Sequence, residues 1–479
     1  MQPTMPEVPA PSPQPVRRCR PRVEGWRQEA LRTNLWVVPT ALSVLTILLF
    51  VATVSVDRAA SAGLLQLPSW VDSGSPDAAR QILTAIAAAI ITVVGVVFSI
   101  TIVALTLAST QFGPRMLRNF IRSFGTQFTL GVFVATFLYS ILALISITQQ
   151  GGRAFVPHLS ITVDFVLVLA DLAVLIYFIH HVATSIQLNQ VIAGIAADLI
   201  RSIDVQTAID AYDRRRCLSQ VGPSVEEVSA WLDQYGARVV ARKSGFLQVV
   251  DYQLLIRTAG AAQAVVRLLY RPRHFVVEGR ALALVWPPEA APAIARALER
   301  AHFIGPYRTR SQDMVLAIDQ LVEIAIRALS PAVNDTFTAL ACIDWLGAGL
   351  CRITTAPKPD PVRRDHTGHI RLIEAELSYD RLVNGAFDKV RQAGRGMPAV
   401  TIRLLEALGR VMEFTTSDDQ RRTLMRQADM LLRSTEEAIP ELNDRLDVRA
   451  RYDRMVAAMK RWRGQVSGCP GSRSGEPDE

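Results

Sequence analysis

From Gln81 to Pro114 the chain carries no charged side chain, and Arg80 and Arg115 bracket the run. As an α-helix this stretch reaches about 50 Å. A bilayer hydrocarbon core is about 30 Å thick and needs only about 20 apolar residues, so the run predicts a membrane span with length to spare. It is also patterned. Thr92, Ser99 and Thr106 recur every seven residues, with Gly95 and Ser109 beside them on nearly the same face. A lipid-facing helix has no use for a polar stripe, so this face is expected to meet protein or water. Three further apolar runs flank it: Leu35 to Val56, Phe128 to Ile147 inside a charge-free stretch, and Ile161 through Phe165, Leu169, Leu172, Ile176 and Phe178 to His181. The pattern predicts spans at about 35–56, 82–110, 127–148 and 161–182, together a four-helix transmembrane domain over 35–182.

Beyond the last span, Ile192, Ile195, Ala196, Leu199 and Ile203 keep a helical spacing with no proline up to Arg216. The expectation is a helical connector over 183–222 that continues the fourth span; a break near Asn189 is the alternative. Residues 236–290 change character. Gly245–Val250, Ala264–Tyr270 and Phe275–Trp286 are β-branched and aromatic runs separated by turns, and Tyr252–Gly260 is a short helix candidate. This resembles a small half-barrel of the lipoyl-like kind, although no lysine stands in a hairpin turn to carry a group; Lys243 precedes a strand. From 305 to 463 the chain reads as a helical domain. A helix capped by Ser311 runs to Leu329, Ser330-Pro331 stops it, and Asn334 or Asp335 caps the next. Further helices are expected at 370–393, 398–413, 418–437 and 441–463. The fold class is therefore an α-helical membrane protein, with a four-span N-terminal bundle followed by a cytoplasmic α+β region. A disordered basic arm (1–34) and a disordered tail (464–479) close the two ends.

Charge placement orients the bundle. Arg17, Arg18, Arg20, Arg22, Arg27 and Arg32 precede the first span, and Arg115, Arg118 and Arg122 fill the loop after the second. The loop from Asp57 to Arg80 has two arginines against three aspartates, and the loop near Gly152 only Arg153. Lys and Arg favour the cytoplasmic side, so both termini are expected inside a bacterial plasma membrane. Arg115, Arg118 and Arg122 become anchors to anionic headgroups of the bilayer, a better partner for these basic patches than nucleic acid. Composition agrees: half of the 479 residues are hydrophobic and 20% charged, with a net charge of +8. The five cysteines are scattered without a CxxC pair, which favours a reducing compartment over a disulfide framework.

Candidate chemistry centres on the fourth span. Asp164 and Asp171 lie seven residues apart and share a helix face. An intramembrane carboxylate costs about 2.5–3.5 kcal/mol on insertion scales and faces a cavity or a partner. No Lys or Arg lies deep in the four runs. Two readings stay open: Asp164, Asp171, Thr92, Ser99 and Thr106 line a cation or proton path, or the acids clamp the bundle while the small residues permit close packing. His180 and His181 sit at the cytoplasmic end. His366 and His369 form an HxxH in a Pro- and Asp-rich loop that offers no cysteine and no set of acidic ligands, so no metal is expected. Asp313, Asp319, Glu323, Asp335 and Asp344 read as caps and ion-pair partners of Arg310 or Arg327. The chain has no P-loop, GxSxG or HExxH, so neither a catalytic site nor a cofactor is expected.

Three segments together resemble a bacterial family of predicted multi-pass membrane proteins carrying a domain of unknown function. They are Val94-Gly-Val-Val-Phe-Ser-Ile-Thr101 with its exit Ser109-Thr-Gln-Phe-Gly-Pro-Arg115; Gly131-Val-Phe-Val-Ala-Thr-Phe137; and Gln320-Leu-Val-Glu-Ile-Ala325 with Ala328-Leu-Ser-Pro-Ala-Val-Asn-Asp-Thr-Phe-Thr-Ala339. Where the family has proline after Asn-Asp, this chain has Thr336, and the cap is expected to survive the change. The resemblance implies a fold and a membrane location and no activity. The functional expectation is an oligomeric channel or transport-like protein, a homo-oligomer because four spans make a thin pathway, with a cytoplasmic regulatory domain. The alternative is a membrane-anchored sensory or scaffold protein whose cytoplasmic domain binds a partner.

Overall fold

Long uncharged runs become long helices because only a helix satisfies its own backbone groups in lipid. The computed structural model describes residues 36–62, 64, 68, 75–112, 124–150, 153–185, 187–216 and 223–467. Four apolar helices come first: α1 (Val37–Ser61), α2 (Pro76–Phe112), α3 (Phe124–Ser146) and α4 (His158–Ser185). Pro76 opens α2 at the first helical position, where its missing N–H costs nothing, and Ser75 Oγ accepts the Ala78 N–H. Between α3 and α4 the short strands β1 (Thr148–Gln150) and β2 (Arg153–Phe155) pair antiparallel.

Helix α3 is the centre of this bundle and packs against α1, α2 and α4. Its approach to α1 is close because Gly131 has no side chain: a Cβ there would lie 3.0 Å from Pro39 Cα. Tyr139 and Phe133 are fully buried between the helices, and Phe178 of α4 packs with Phe133, Val97 and Ala104.

The expected continuous helix out of the fourth span is interrupted. α4 ends at Ser185 and α5 (Leu188–Arg216) starts anew. Thr184 Oγ1 donates to the His180 and His181 carbonyls, and the Gln187 N–H turns back to Thr184 O. These bonds close the last turn in place of further helix. The break lets α5 take its own direction and bury Ile192, Ile195, Leu199 and Ile203 in the core of the C-terminal helices.

After α6 (Val225–Tyr235), with its Ser224–Glu227 capping box, come β3 (Ala237–Val240), β4 (Gly245–Val250), α7 (Tyr252–Ala261), β5 (Val265–Leu268), β6 (Phe275–Val276), β7 (Ala281–Trp286), α8 (Ala291–Ala301) and β8 (His302–Gly305). This is not a lipoyl-like half-barrel. The strands split into a three-stranded sheet β6-β4-β8 and a five-stranded sheet β3-β7-β5-β10-β9, and α7 and α8 cover them around Leu247, Leu255, Val266, Ile294 and Leu298. Strands β9 (Val362–Arg364) and β10 (Ile370–Ile373) come from within the stretch expected to be helical, and β10 joins β5 in parallel. All four residues of β10 are buried. A strand covered on both faces loses the polar–apolar alternation that announces a strand.

The remaining helices are α9 (Val315–Ala328), α10 (Thr336–Thr355), α11 (Tyr379–Ala393), α12 (Pro398–Glu413), α13 (Asp418–Ala438) and α14 (Leu442–Ser467). α9 starts at Val315, later than Ser311, because Asp313 accepts the Leu316 N–H while Gln312 bonds both backbone groups of Val250. The Asn334-Asp335 turn behaves as expected. Asn334 takes a left-handed φ of 51°, which Asn tolerates, and Asp335 caps α10 through the N–H and hydroxyl of Thr338. Five described helices are long and apolar enough to cross a membrane: α1 to α4, and α10. α10 differs from the others in its surroundings, since Cys342, Ile343, Leu346 and Leu350 are buried among α5, α9 and α12.

Candidate functional site

The two carboxylates of α4 are buried, and both reach for hydroxyls on α3. Asp164 accepts from Ser140 Oγ at 2.7 Å, and Asp171 accepts from Thr136 Oγ1 at 3.1 Å. The antiparallel run of α3 and α4 makes this register possible: four residues on one helix and seven on the other bring each acid to its own hydroxyl. The second carboxylate oxygen of each, Oδ2, is buried and has no hydrogen-bond partner among the described residues. A buried polar atom left unmatched is costly, so each marks a place where a proton, a water or a cation would be stabilised.

A third carboxylate extends the seam toward the start of α4. Asp57, one turn before the end of α1, accepts the backbone N–H groups of Leu159 (2.8 Å) and Ser160 (3.0 Å) and the Ser160 hydroxyl (2.7 Å). It thereby caps a helix that is not its own, and it complements the positive end of that helix dipole. Ser160 Oγ also reaches Thr53 Oγ1 at 3.1 Å, and Thr53 pairs with the Tyr139 hydroxyl at 2.9 Å. Toward the other end of the seam, the Thr129 hydroxyl is buried without a described partner. The rings of Tyr177 and His181 then stack at 5.7 Å, and a Cβ at Gly125 would lie 2.7 Å from His181 Nε2. From Ser160 to His181 the polar line follows α4 for about 30 Å, the thickness of a hydrocarbon core.

The Thr and Ser stripe of α2 lies elsewhere. Thr92, Ser99 and Thr106 are exposed, and a Cβ at Gly95 would meet nothing. The Thr92 and Thr106 hydroxyls turn back to the carbonyls of Ala88 and Ile102. α2 presents Val97 and Ala104 to the bundle instead. The stripe is exposed while the two aspartates are buried against α3, so of the two open readings the shared path is not assembled within this chain. Arg115, Arg118 and Arg122 fall outside the described residues.

Sequence reasoning missed Asp57, Thr53, Ser160, Tyr139, Ser140 and Thr136. Asp57 looked like the start of a loop, yet α1 continues four residues beyond it. Thr136 and Ser140 carried a readable signal, being i and i+4 on one face of α3.

The acids of the C-terminal region have other duties. Asp313 and Asp319 hold Arg308 at 2.7 and 2.6 Å, Asp344 holds Arg403 and Arg410, and Arg310 pairs with Asp198 of α5. His369 Nδ1 meets Thr367 Oγ1 within the β9–β10 hairpin. Among the described residues no three His, Cys, Asp or Glu side chains gather as a metal-binding set.

Known proteins place the chain. It is 30% identical over 396 residues to an uncharacterized protein of Mycobacterium bovis and, at the same identity, to one of Mycobacterium tuberculosis, covering 81% of this chain and 74% of each relative. No solved structure matches it. The family model described as "Predicted membrane protein (DUF2254)" matches residues 32–410, and the chain belongs to that family.

Proposed function

We propose that this membrane protein crosses the bacterial plasma membrane four times, through α1 to α4 with both termini cytoplasmic, and that the α3–α4 seam carries protons. The observation that supports the reading is the pair Asp164 and Asp171. Each is buried, each is held by one hydroxyl, and each keeps an unmatched oxygen in a region without Lys or Arg. A proton suits this seam better than a hydrated ion, because Tyr139, Phe133 and Phe178 fill the bundle around it. The two aspartates are separated by about 10 Å of helix rise, so transfer needs water to enter between them. In this reading the fifth apolar helix, α10, stays in the cytoplasm, where its Asp344 pairs with Arg403 and Arg410. The exposed stripe of α2 then faces a second copy of the chain in a homo-oligomer, and anionic headgroups meet the side chains of Arg115, Arg118 and Arg122.

The test is proton flux into liposomes carrying the purified protein under an imposed pH gradient. Wild type should conduct, and Asp171→Asn, which keeps the shape and the Thr136 bond, should abolish the flux. Absence of flux from folded wild-type protein, or an unchanged rate in the variant, overturns the proposal.

A second reading, a membrane-anchored sensor, rests on α5. That helix follows the fourth span directly, buries four aliphatic side chains against α9 and α10, and adds the pairs Asp198–Arg310 and Asp204–Arg352. A tilt of α4 would be passed to the C-terminal helices. Unaltered partner capture by Asp171→Asn protein that no longer conducts would separate the two readings.

A further inference from the structure

The β-rich module contains a cleft of about 510 Å³ between β3 and α8, within the size range of small-molecule sites. Its walls are aliphatic, formed by Val239, Leu282, Ala295, Leu298 and Ile304. Its rim is cationic. Arg238, Arg242 and Lys243 are exposed there, and Arg242 is held by Glu299 at 2.7 Å. That leaves Arg238 and Lys243 without an ion-pair partner among the described residues, at one mouth of one cleft.

The wall also includes His302, the first residue of β8. Its side chain is buried, and neither ring nitrogen has a hydrogen-bond partner among the described residues. An imidazole offers one donor and one acceptor when neutral, and burial pushes this one down to about 4, so it is neutral at physiological pH. Leaving both nitrogens unmatched is expensive for a group with no structural duty of its own. A leucine would fill the same space at less cost.

We propose that this cleft binds a small organic anion with a hydrogen-bonding ring, of the nucleoside phosphate class. The phosphate meets Arg238 and Lys243 at the rim, where guanidinium and ammonium groups are suited to phosphate oxygens. The ring lies against the aliphatic walls and, as the wall yields to admit it, uncovers and pairs a His302 ring nitrogen, both of which are closed off in the empty cleft. Inorganic phosphate would use the rim and leave the walls and His302 empty. A fatty acid would use the walls and rim and leave the imidazole unmatched. The site is independent of whether the spans conduct.

The experiment is calorimetric titration of the full-length protein in detergent with AMP, GMP, CMP and UMP in turn, alongside inorganic phosphate and laurate. At least one nucleotide should bind saturably, with neither phosphate nor laurate binding at the same concentrations. Arg238→Ala combined with Lys243→Ala changes only exposed side chains and should weaken that nucleotide at least tenfold. His302→Leu should weaken it similarly, and circular dichroism and the melting profile will show whether that variant is folded. If no nucleotide binds, if phosphate or laurate binds as well as the best nucleotide, or if the rim double variant binds like wild type, the proposal fails.

Discussion

Asp57 and Ser160 are joined by two bonds, one to the backbone and one to the hydroxyl, although they are 103 residues apart and on different helices. Together with the Leu159 N–H, this makes the carboxylate of α1 the cap of α4. Bonds to a carboxylate contribute about 1.5–3 kcal/mol each when the group is buried. Asp57→Ala removes all three and leaves two helix N–H groups without an acceptor. We expect a loss of about 4–5 kcal/mol, the low end of that range for three bonds, measured by unfolding in detergent. Asp57→Asn keeps one acceptor oxygen and should lose roughly half as much. Equal stability of the alanine variant and wild type would show that water replaces the cap at no cost.

Gly131 sets the distance between α1 and α3. A Cβ there would approach Pro39 Cα to 3.0 Å and Leu42 Cδ1 to 2.8 Å. The leucine tip can swing away, but the Pro39 backbone cannot. Gly131→Ala should therefore cost about 1–3 kcal/mol, in the range of overpacking. Gly194→Ala, inside α5, serves as the control. Nothing lies within reach of its Cβ, and alanine favours helix by about 1 kcal/mol over glycine. Thermal unfolding of the two variants should shift in opposite directions.

How much of this was readable in the sequence differs by element. The four apolar helices follow from uncharged runs, because lipid forbids charge and demands helix. Their ends were less legible. α1 runs through Asp57 and Arg58 to Ser61 because Asp57 is consumed by another helix, a use invisible from local sequence. β10 read as the start of a helix because Ile370, Leu372 and Ile373 are buried on both faces of the sheet, and Arg371 between them is satisfied internally by Asp365 and Gln263. The candidate site was half legible. Asp164 and Asp171 stand out as acids in an apolar helix, but their partners are ordinary Ser and Thr. The stripe of α2 was assigned to them only because both are polar.

Arg308 sits between Asp313 and Asp319, and the Asp313 side chain is almost fully buried. Removing one member of a buried pair costs about 3–5 kcal/mol, because the other is left uncompensated. Burial already holds the Asp313 carboxyl above its ordinary range even with Arg308 beside it. In Arg308→Ala it rises further, so the folded variant binds a proton that the unfolded chain releases. Stability of this variant should therefore fall as pH rises from 5 to 8 more steeply than that of wild type. Equilibrium unfolding at several pH values will show whether the two curves diverge in that direction.

Asp365 behaves in the opposite sense. Burial alone would raise its carboxyl, but the Thr367 hydroxyl and backbone N–H and the Arg371 guanidinium donate to it and bring it down to about 2. An unfolded aspartate titrates at about 4. The folded carboxylate thus contributes stability that is complete above about pH 4 and is lost as pH falls toward 2. The difference of about two pH units corresponds to roughly 2.7 kcal/mol at neutral pH. The residue ties β9 to β10 and, through Arg371 and Gln263, fastens the hairpin to the turn before β5. Asp365→Asn should therefore lower stability by about 2 kcal/mol at pH 7, and the gap to wild type should close by about pH 2. A gap that stays constant across this range would mean that the loss comes from packing at the hairpin rather than from the charge.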